Sequence, residues 1–365
     1  MSRFILSALA LSSMVACDDQ ADRMDASFED TGMDADADAE RSDGLSPYGV
    51  IDVANVTGCN SWKKVDMNDA AELICEHDFV TSSYSGVYFV VRDLVSGTNT
   101  TLTQQIPYLE AYGTMGDNGD LALTGWNATV TTGVGYRVTA SGTTTNLPGA
   151  VPIVRDVNAR GDVLLANNQI FLANGSISTI GDSTYLASAT DLNLFGAAAG
   201  TYTEARTGIS GSFFWDDRGL WRLAANAKAV RLNDLGEVAG TVAGSCGSVT
   251  ACPVGTVWNT MNWPFEQRLA LPTGYTMSQP VDIQRDGRVL GSVWYSTGGI
   301  PSSTISTSGI WTRNQLQGTS TFTDLSTMIP PGWRIVSVQE LADNGMILAI
   351  ADNGWGPRPV ILFPR

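Results

Sequence analysis

Residues 230–240 read Val230-Arg231-Leu232-Asn233-Asp234-Leu235-Gly236-Glu237-Val238-Ala239-Gly240, and the rest of the chain repeats this unit. Apolar residues lead into Asn-Asp-x-Gly, whose glycine can take a positive φ without a Cβ clash, and Val-x-Gly leads out. The stretch therefore predicts a short hairpin, in which a strand, a tight turn and a second strand follow one another.

The hairpin pattern occurs seven times along the chain. Six copies have glycine at the turn position and the first has alanine; the turn positions are Ala71, Gly119, Gly161, Gly196, Gly236, Gly287 and Gly345. The steps between them are 48, 42, 35, 40, 51 and 58 residues. A period of this size indicates a solenoid, an array or a propeller.

Two further strand patterns recur after the hairpins. A short strand rich in aromatic or aliphatic residues recurs at 87–90, 136–138, 170–172, 213–215, 256–258, 309–311 and 360–363. A polar–apolar strand then closes most repeats, at 142–147, 176–180, 220–223, 265–271 and 322–325. Four strands in a repeat of about 46 residues are typical of a propeller blade.

The chain is therefore predicted to be an all-β, seven-bladed β-propeller of four-stranded repeats. The seventh repeat ends one strand short, and residues 49–54 form a strand with no blade of its own. We expect residues 49–54 to pair with residues 359–363, so that the N-terminal strand closes the last blade and no apolar sheet edge is left open. The alternatives are an open β-solenoid and a propeller with a different number of blades.

Tryptophan stands at the same place in three repeats, as Trp215, Trp258 and Trp311. We expect these side chains to pack between adjacent sheets, because large flat side chains are the usual filling of β interiors. The alternative is a stacking platform for a sugar.

The N-terminus has the order of a bacterial lipoprotein signal. Arg3 precedes an apolar run that is too short to span a bilayer, and Met14-Val15-Ala16-Cys17 resembles a lipobox. We predict a signal peptide over 1–16 and lipidation of Cys17. The alternative is an ordinary cleaved signal with an incidental cysteine.

Residues 17–44 are predicted to be the lipidated cysteine and an acidic, disordered tether. From Asp18 to Gly44 the segment has eleven acidic residues and two arginines, a net charge of -9, with Phe28 as the only aromatic residue. Such a segment cannot bury enough apolar surface to offset the entropy of ordering. The alternative is an acidic site for calcium or a partner.

Residues 45–365 form the predicted repeat domain. The whole chain has a net charge of -16, of which about -8 falls on this domain, without a cluster of Lys and Arg. We therefore expect no nucleic-acid partner, and we expect a monomer.

The turn phrase followed by the aromatic strand resembles the HAF family of extracellular repeats, whose pattern is roughly Asp-Ile-Asn-x-x-Gly-x-Val-x-Gly and then Ala-Phe-Leu-Trp. Asp191 to Gly200 with Phe213 to Trp215, and Leu232 to Gly240 with Val257 and Trp258, carry the resemblance, which extends over residues 65–365. It implies a secreted or surface location and a β architecture, and it brings no catalytic residues.

Few residues point to catalysis or to a metal site. The single histidine, His77, is interpreted as a surface loop residue, since neither a Gly-x-Ser-x-Gly elbow nor a second metal-ligand cluster accompanies it. Asp117 to Asp120 and Asp343 to Gly345 lack the continuation of a calcium loop. We expect no catalytic residues, no metal and no cofactor.

Four cysteines remain after Cys17, an even number that favours disulfides in an exported protein. Proximity within a repeat predicts that Cys59 pairs with Cys75 and Cys246 with Cys252. A cysteine metal site would need a Cys-x-x-Cys spacing, which the chain lacks.

Two functions are compatible with these features. The first is a lipid-anchored, noncatalytic propeller of the cell envelope that binds or scaffolds a protein or glycan ligand. We expect it at the outer membrane or the cell surface; the alternative location is the periplasmic face of the inner membrane. The second is a propeller hydrolase or lyase that acts on a carbohydrate through carboxylates in the central channel. Two or more convergent carboxylates with raised pKa values in the channel would favour the enzyme.

Overall fold

The computed structural model describes residues 46–56, 65–68, 70–80, 85–94, 96–101, 110–126, 133–149, 152–181, 183–246, 249–261, 265–296 and 304–365. These residues form a seven-bladed β-propeller, in which every blade is an antiparallel sheet of four strands. The predicted fold class is thus confirmed, and the solenoid and other blade numbers are excluded.

The chain begins its described part with one strand that belongs to the last blade, and then forms the other blades in order. The first strand is β1 (Tyr48–Asp52). Blade 1 comprises β2 (Val65–Met67), β3 (Glu72–Val80), β4 (Ser85–Asp93) and β5 (Asn99–Thr101). Blade 2 comprises β6 (Glu110–Met115), β7 (Leu121–Trp126), β8 (Gly133–Val138) and β9 (Thr144–Asn146). Blade 3 comprises β10 (Val154–Val157), β11 (Val163–Leu165), β12 (Gln169–Phe171) and β13 (Ile177–Thr179).

The remaining blades follow the same order. Blade 4 comprises β14 (Tyr185–Leu192), β15 (Ala198–Glu204), β16 (Ser210–Asp216) and β17 (Gly219–Ala225). Blade 5 comprises β18 (Ala227–Leu232), β19 (Glu237–Cys246), β20 (Val249–Asn259) and β21 (Phe265–Arg268). Blade 6 comprises β22 (Met277–Ile283), β23 (Val289–Ser296), β24 (Thr304–Asn314) and β25 (Thr319–Asp324). Blade 7 comprises β26 (Arg334–Leu341), β27 (Ile347–Asp352), β28 (Arg358–Pro364) and β1.

Ring closure follows the predicted route. Strand β1 pairs antiparallel with β28, with Tyr48 opposite Pro364 and Asp52 opposite Val360. The chain leaves β1 through a short 3-10 helix, Val53–Asn55, so the pairing ends at Asp52 rather than at residue 54. Blade 7 therefore contains both ends of the propeller domain, joined by backbone hydrogen bonds.

The turn between the first and second strand of each blade has the predicted backbone. Its glycine has a φ between 72° and 85° in the six copies that carry glycine, and Ala71 takes the same region with a φ of 62°. Because the strands alternate in direction, the turns between third and fourth strands lie on the same side of the ring. We call this side the turn face.

In the four blades whose turn phrase has asparagine (blades 1, 3, 4 and 5), that residue connects the turn to the next blade. The Oδ1 of Asn193 accepts the N–H groups of Phe195 and Ala197, and its Nδ2 donates to the carbonyl of Asn233, 3.2 Å away. Asn233 in turn donates to the carbonyl of Gln284. The phrase that forms the hairpin therefore also joins neighbouring blades.

Apolar side chains fill the spaces between neighbouring blades. Trp258 packs with Phe214 of blade 4, and Trp311 packs with Val257 of blade 5. Trp311 is fully buried, and its Nε1 donates to the carbonyl of Ala270. Trp215, which is half-buried, packs against the cluster that joins blades 3 and 4. The predicted packing role of the three tryptophans is confirmed.

The N-terminal predictions lie outside the described residues. These are the signal peptide over 1–16, Cys17 and the tether over 17–44, so they stay predictions. Within the described ranges, no helix is long and apolar enough to cross a membrane.

Candidate functional site

The first strands of all seven blades line one polar cavity of about 180 Å³ at the centre of the ring. Each strand contributes the residue two positions before the turn asparagine or its equivalent. We call these seven residues the channel ring; in blade order they are Asp66, Thr114, Asp156, Asp191, Arg231, Asp282 and Glu340. Five of the seven members are thus acidic, one is neutral and one is basic.

A β-bulge precedes the ring residue in blades 3 to 7. The register between first and second strands shifts by one residue at this point, which leaves one residue without a directly opposed partner: Arg155, Thr190, Val230, Val281 and Gln339. A bulge bends the strand and redirects the next side chain. The bulge therefore sets the direction in which each of these ring residues leaves its strand.

Every acidic member of the channel ring binds the backbone of the following blade. The donor is the backbone N–H of the residue that follows the ring residue of that next blade, and the N···O distances are 2.5 to 3.1 Å. Asp191, for example, accepts from Leu232, and Glu340 accepts from Met67 across the closure between blades 7 and 1. The acids thus connect neighbouring blades by hydrogen bonds.

Arg231 occupies the ring position of blade 5 and lies between two of these acids. Its guanidinium is 3.6 Å from Asp191 Oδ1 and 3.7 Å from Asp282 Oδ1. The side chain is partly buried, with 37% of its surface exposed. Burial lowers the pKa of Arg231, but the charges of Asp191 and Asp282 and of the other ring acids outweigh it and raise that pKa above its usual value.

Asp156 and Asp191 are consecutive members of the channel ring, and their carboxyl groups interact. Burial and the neighbouring charge of Asp156 raise the pKa of Asp191 well above its ordinary value. Burial also raises the pKa of Asp156, although Arg231 and hydrogen bonds from Leu192, Val157 and Asp191 oppose this. Burial and the neighbouring carboxyl group therefore favour the protonated form of Asp191 more than in an exposed aspartate.

A similar arrangement exists on the other side of the ring. Burial, the charges of Asp66 and Asp282, and a hydrogen bond with Asp66 raise the pKa of Glu340 well above its ordinary value. Burial also raises the pKa of Asp282, while Arg231 and the N–H groups of Leu341 and Ile283 lower it. The channel therefore contains several adjacent carboxyl groups with raised pKa values, a property that general acid–base chemistry uses.

The structure places Cys75 and Cys252 apart from the channel. Cys75 lies buried on β3 and Cys252 lies buried on β20, whereas Cys59 and the side chain of Cys246 are outside the described residues. Backbone pairing sets Cys252 opposite Gly244, two residues from Cys246 on the same strand. Both predicted disulfides stay predictions. Among the described residues, no three His, Cys, Asp or Glu side chains are grouped so as to hold a metal ion.

The interpretation of His77 as a surface loop residue was wrong. His77 belongs to β3 and is buried, and its ring stacks on Tyr88 with centroids 5.0 Å apart. The residues after Ala71 form strand β3 (Glu72–Val80), so His77 lies inside the sheet of blade 1. His77 has a packing role in blade 1.

Sequence reasoning missed the channel ring, although the chain contained a signal for it. When the copies are aligned on the turn, an acid stands two residues before the asparagine position in five of seven repeats. Formation of the strand within one repeat does not require an acidic residue at this position. The regularity points to a shared contact between repeats.

Comparisons with known proteins identify the fold and leave the family open. No protein-family model and no curated protein matches the sequence. The chain is similar to Pyrococcus horikoshii acylaminoacyl peptidase, with 9% identity and a TM-score of 0.51 over 83% of this chain and 50% of that chain. It spans half the length of that peptidase. Virginiamycin B lyase from Staphylococcus aureus matches with 12% identity and a TM-score of 0.46, over 87% and 98% of the two chains.

Proposed function

We propose that this protein is a noncatalytic binding or scaffolding propeller of the bacterial cell envelope, held at the membrane by a lipid on Cys17. The order of charge, apolar run and cysteine at the N-terminus supports the anchor, and the resemblance to HAF repeats supports the surface location. The proposed ligand is a protein or a glycan, bound by one face of the ring.

One observation supports the noncatalytic function most directly. Every acid of the channel ring accepts a backbone N–H group of the next blade, including the acids with raised pKa values. A buried N–H without an acceptor costs about 1–3 kcal/mol, so the ring contributes to the stability of the propeller itself. The fold alone gives a reason for each acid to be present.

A second candidate function is acid–base cleavage of a carbohydrate in the channel. Asp156 and Asp191 favour it, because adjacent carboxyl groups with raised pKa values in a polar cavity are typical of such chemistry. The two functions differ in what they require of Asp191. The hydrogen bond to the next blade needs an acceptor atom, whereas catalysis needs an ionisable group.

Two variants of Asp191 separate these requirements. Asp191→Asn keeps an oxygen that accepts from Leu232, whereas Asp191→Leu leaves that buried N–H without a partner. We expect Asp191→Leu to lower the free energy of unfolding by about 1–3 kcal/mol and Asp191→Asn to lower it by less. Denaturant titrations of the parent and both variants measure the difference.

The pH dependence of the Asp191→Asn variant adds a second readout. Because the pKa of Asp191 is raised in the folded state, folding favours its protonated form, and the parent loses stability as pH rises above the ordinary range near 3.8. Asparagine does not titrate, so Asp191→Asn should cost less stability at pH 8 than at pH 4.

Activity decides between the two functions. The parent should release no reducing ends from pectin, xylan or laminarin. Release by the parent that disappears in the still-folded Asp191→Asn variant would replace the noncatalytic function with the enzymatic one.

A further inference from the structure

The turn face carries a second cavity, formed by blades 4 and 5 with one wall from blade 3, and Asn193 and Asp234 line both this cavity and the channel. Its volume is about 730 Å³, within the roughly 300–1,000 Å³ that ligand pockets usually have. We call it the blade 4–5 crevice. Its rim and walls include the apolar side chains Phe195, Leu235, Met261 and Trp215.

The seven-fold repeat provides an internal comparison for this surface. The residue just before the turn glycine is polar in the turns of blades 2, 3, 6 and 7: Asn118, Arg160, Asp286 and Asn344. In blades 4 and 5 the same position is apolar and exposed, with Phe195 68% and Leu235 47% accessible. The two apolar tips are neighbours around the ring, and Met261, 78% accessible, lies beside them in the crevice.

The turns do not need these apolar side chains in order to form. The N–H of Phe195 donates to Asn193 Oδ1, and the N–H of Leu235 donates to Asn233 Oδ1. The turn of blade 3 makes the same bond with Arg160 in this position. Adjacent exposed apolar groups that the fold does not use mark a surface where another molecule binds.

Charges at the crevice are predominantly negative. Three carboxylates line it, Asp216, Asp217 and Asp234, against the guanidiniums of Arg160 and Arg218. Both guanidiniums are already paired, Arg160 with Asp162 at 3.2 Å and Arg218 with Asp216 at 2.5 Å. Asp217 and Asp234 therefore leave a surplus negative charge at the edge of an apolar cavity.

We propose that the blade 4–5 crevice binds a peptide segment in which a bulky apolar residue is followed by Lys or Arg. The apolar side chain lies against Phe195, Leu235 and Met261, and the cation faces Asp217 and Asp234. Aromatic residues and methionine are enriched at protein interfaces, and methionine adapts to different side chains. This inference rests on the proposed binding function and assigns it a site and a partner chemistry.

Short synthetic peptides test this partner chemistry on the full chain. The probe is Ac-Gly-Phe-Lys-Gly-NH2, and the controls replace its lysine with glutamate or its phenylalanine with serine. Binding is measured by saturation-transfer NMR and by calorimetry. We expect each control to bind about tenfold more weakly than the probe, which corresponds to about 1.4 kcal/mol.

Variants of the crevice test the location. The double substitution Phe195→Asn and Leu235→Asn introduces the residue that the turns of blades 2 and 7 already carry at this position. It should leave the melting temperature unchanged and weaken probe binding about tenfold. Leu316→Asn removes an apolar side chain that is 101% accessible on blade 6, outside the crevice, and should bind the probe like the parent.

Three results would overturn the assignment: equal binding of all three peptides, no binding of any peptide to the parent, or parental affinity in the double variant. Preference for a neutral probe, cellohexaose, over every peptide would also overturn it. These failures are distinct from failure of the proposed function, which polysaccharide cleavage by the parent would reveal.

Discussion

The turn residue at position 284 shows how much the asparagine of the repeat contributes. Gln284 stands where blades 1, 3, 4 and 5 have asparagine, and its Nε2 still donates to the next blade, at Ala342. Its Oε1, however, is buried and has no hydrogen-bond partner among the described residues. The extra methylene moves this oxygen away from the turn N–H groups that an asparagine would cap.

We expect Gln284→Asn to stabilise the protein by about 1 kcal/mol, because the shorter side chain satisfies a buried acceptor and still reaches the neighbouring carbonyl. The reciprocal variant Asn233→Gln should lose a similar amount, since Leu235 and Glu237 donate to Asn233 Oδ1. Chemical denaturation measures both. Equal stability of parent and both variants would show that the amide length is irrelevant.

At the scale of elements, one strand decides whether the ring is closed. Strand β1 is the fourth strand of blade 7, and all five of its residues pair with β28. Tyr48 packs in the apolar cluster that also contains Ile329 and Val360, and Arg358 forms an ion pair with Asp52 at 3.2 Å. Without β1, the edge of β28 and this cluster would be exposed to water.

Deleting residues 45–56 should therefore lower the melting temperature of the whole domain and promote association, because an apolar strand edge becomes available for pairing. Deleting residues 18–40 provides the control and should leave the melting temperature unchanged. Calorimetry and light scattering measure the two effects. A 45–56 deletion that melts like the parent would mean that β1 contributes nothing to closure.

At the scale of the whole molecule, the proposed membrane anchor and the propeller belong to different parts of the sequence. The described residues form one ring, and the proposed attachment depends on Cys17 and the acidic segment after it. Two lipid chains on one cysteine give stable membrane binding, which a single chain does not.

Cys17→Ser should move the protein from the membrane fraction to the soluble envelope fraction without changing its melting temperature. Fractionation with metabolic fatty-acid labelling checks this outcome, with Cys252→Ser as a control that keeps Cys17. Equal labelling of the Cys17→Ser protein and the parent would contradict the assigned lipidation site.

The sequence by itself determined the blade number, the four strands of each blade and the strand that closes the ring. These features depend on local information, since turn residues such as Gly236 and the spacing of apolar residues act over a few positions. The tertiary structure decided which residues meet. The channel ring joins acids that are 35 or more residues apart, and the crevice joins residues of blades 3, 4 and 5. The channel acids become buried only when the ring closes. The pKa of Asp191 is therefore raised only in the folded protein, because desolvation and neighbouring charges depend on the folded surroundings.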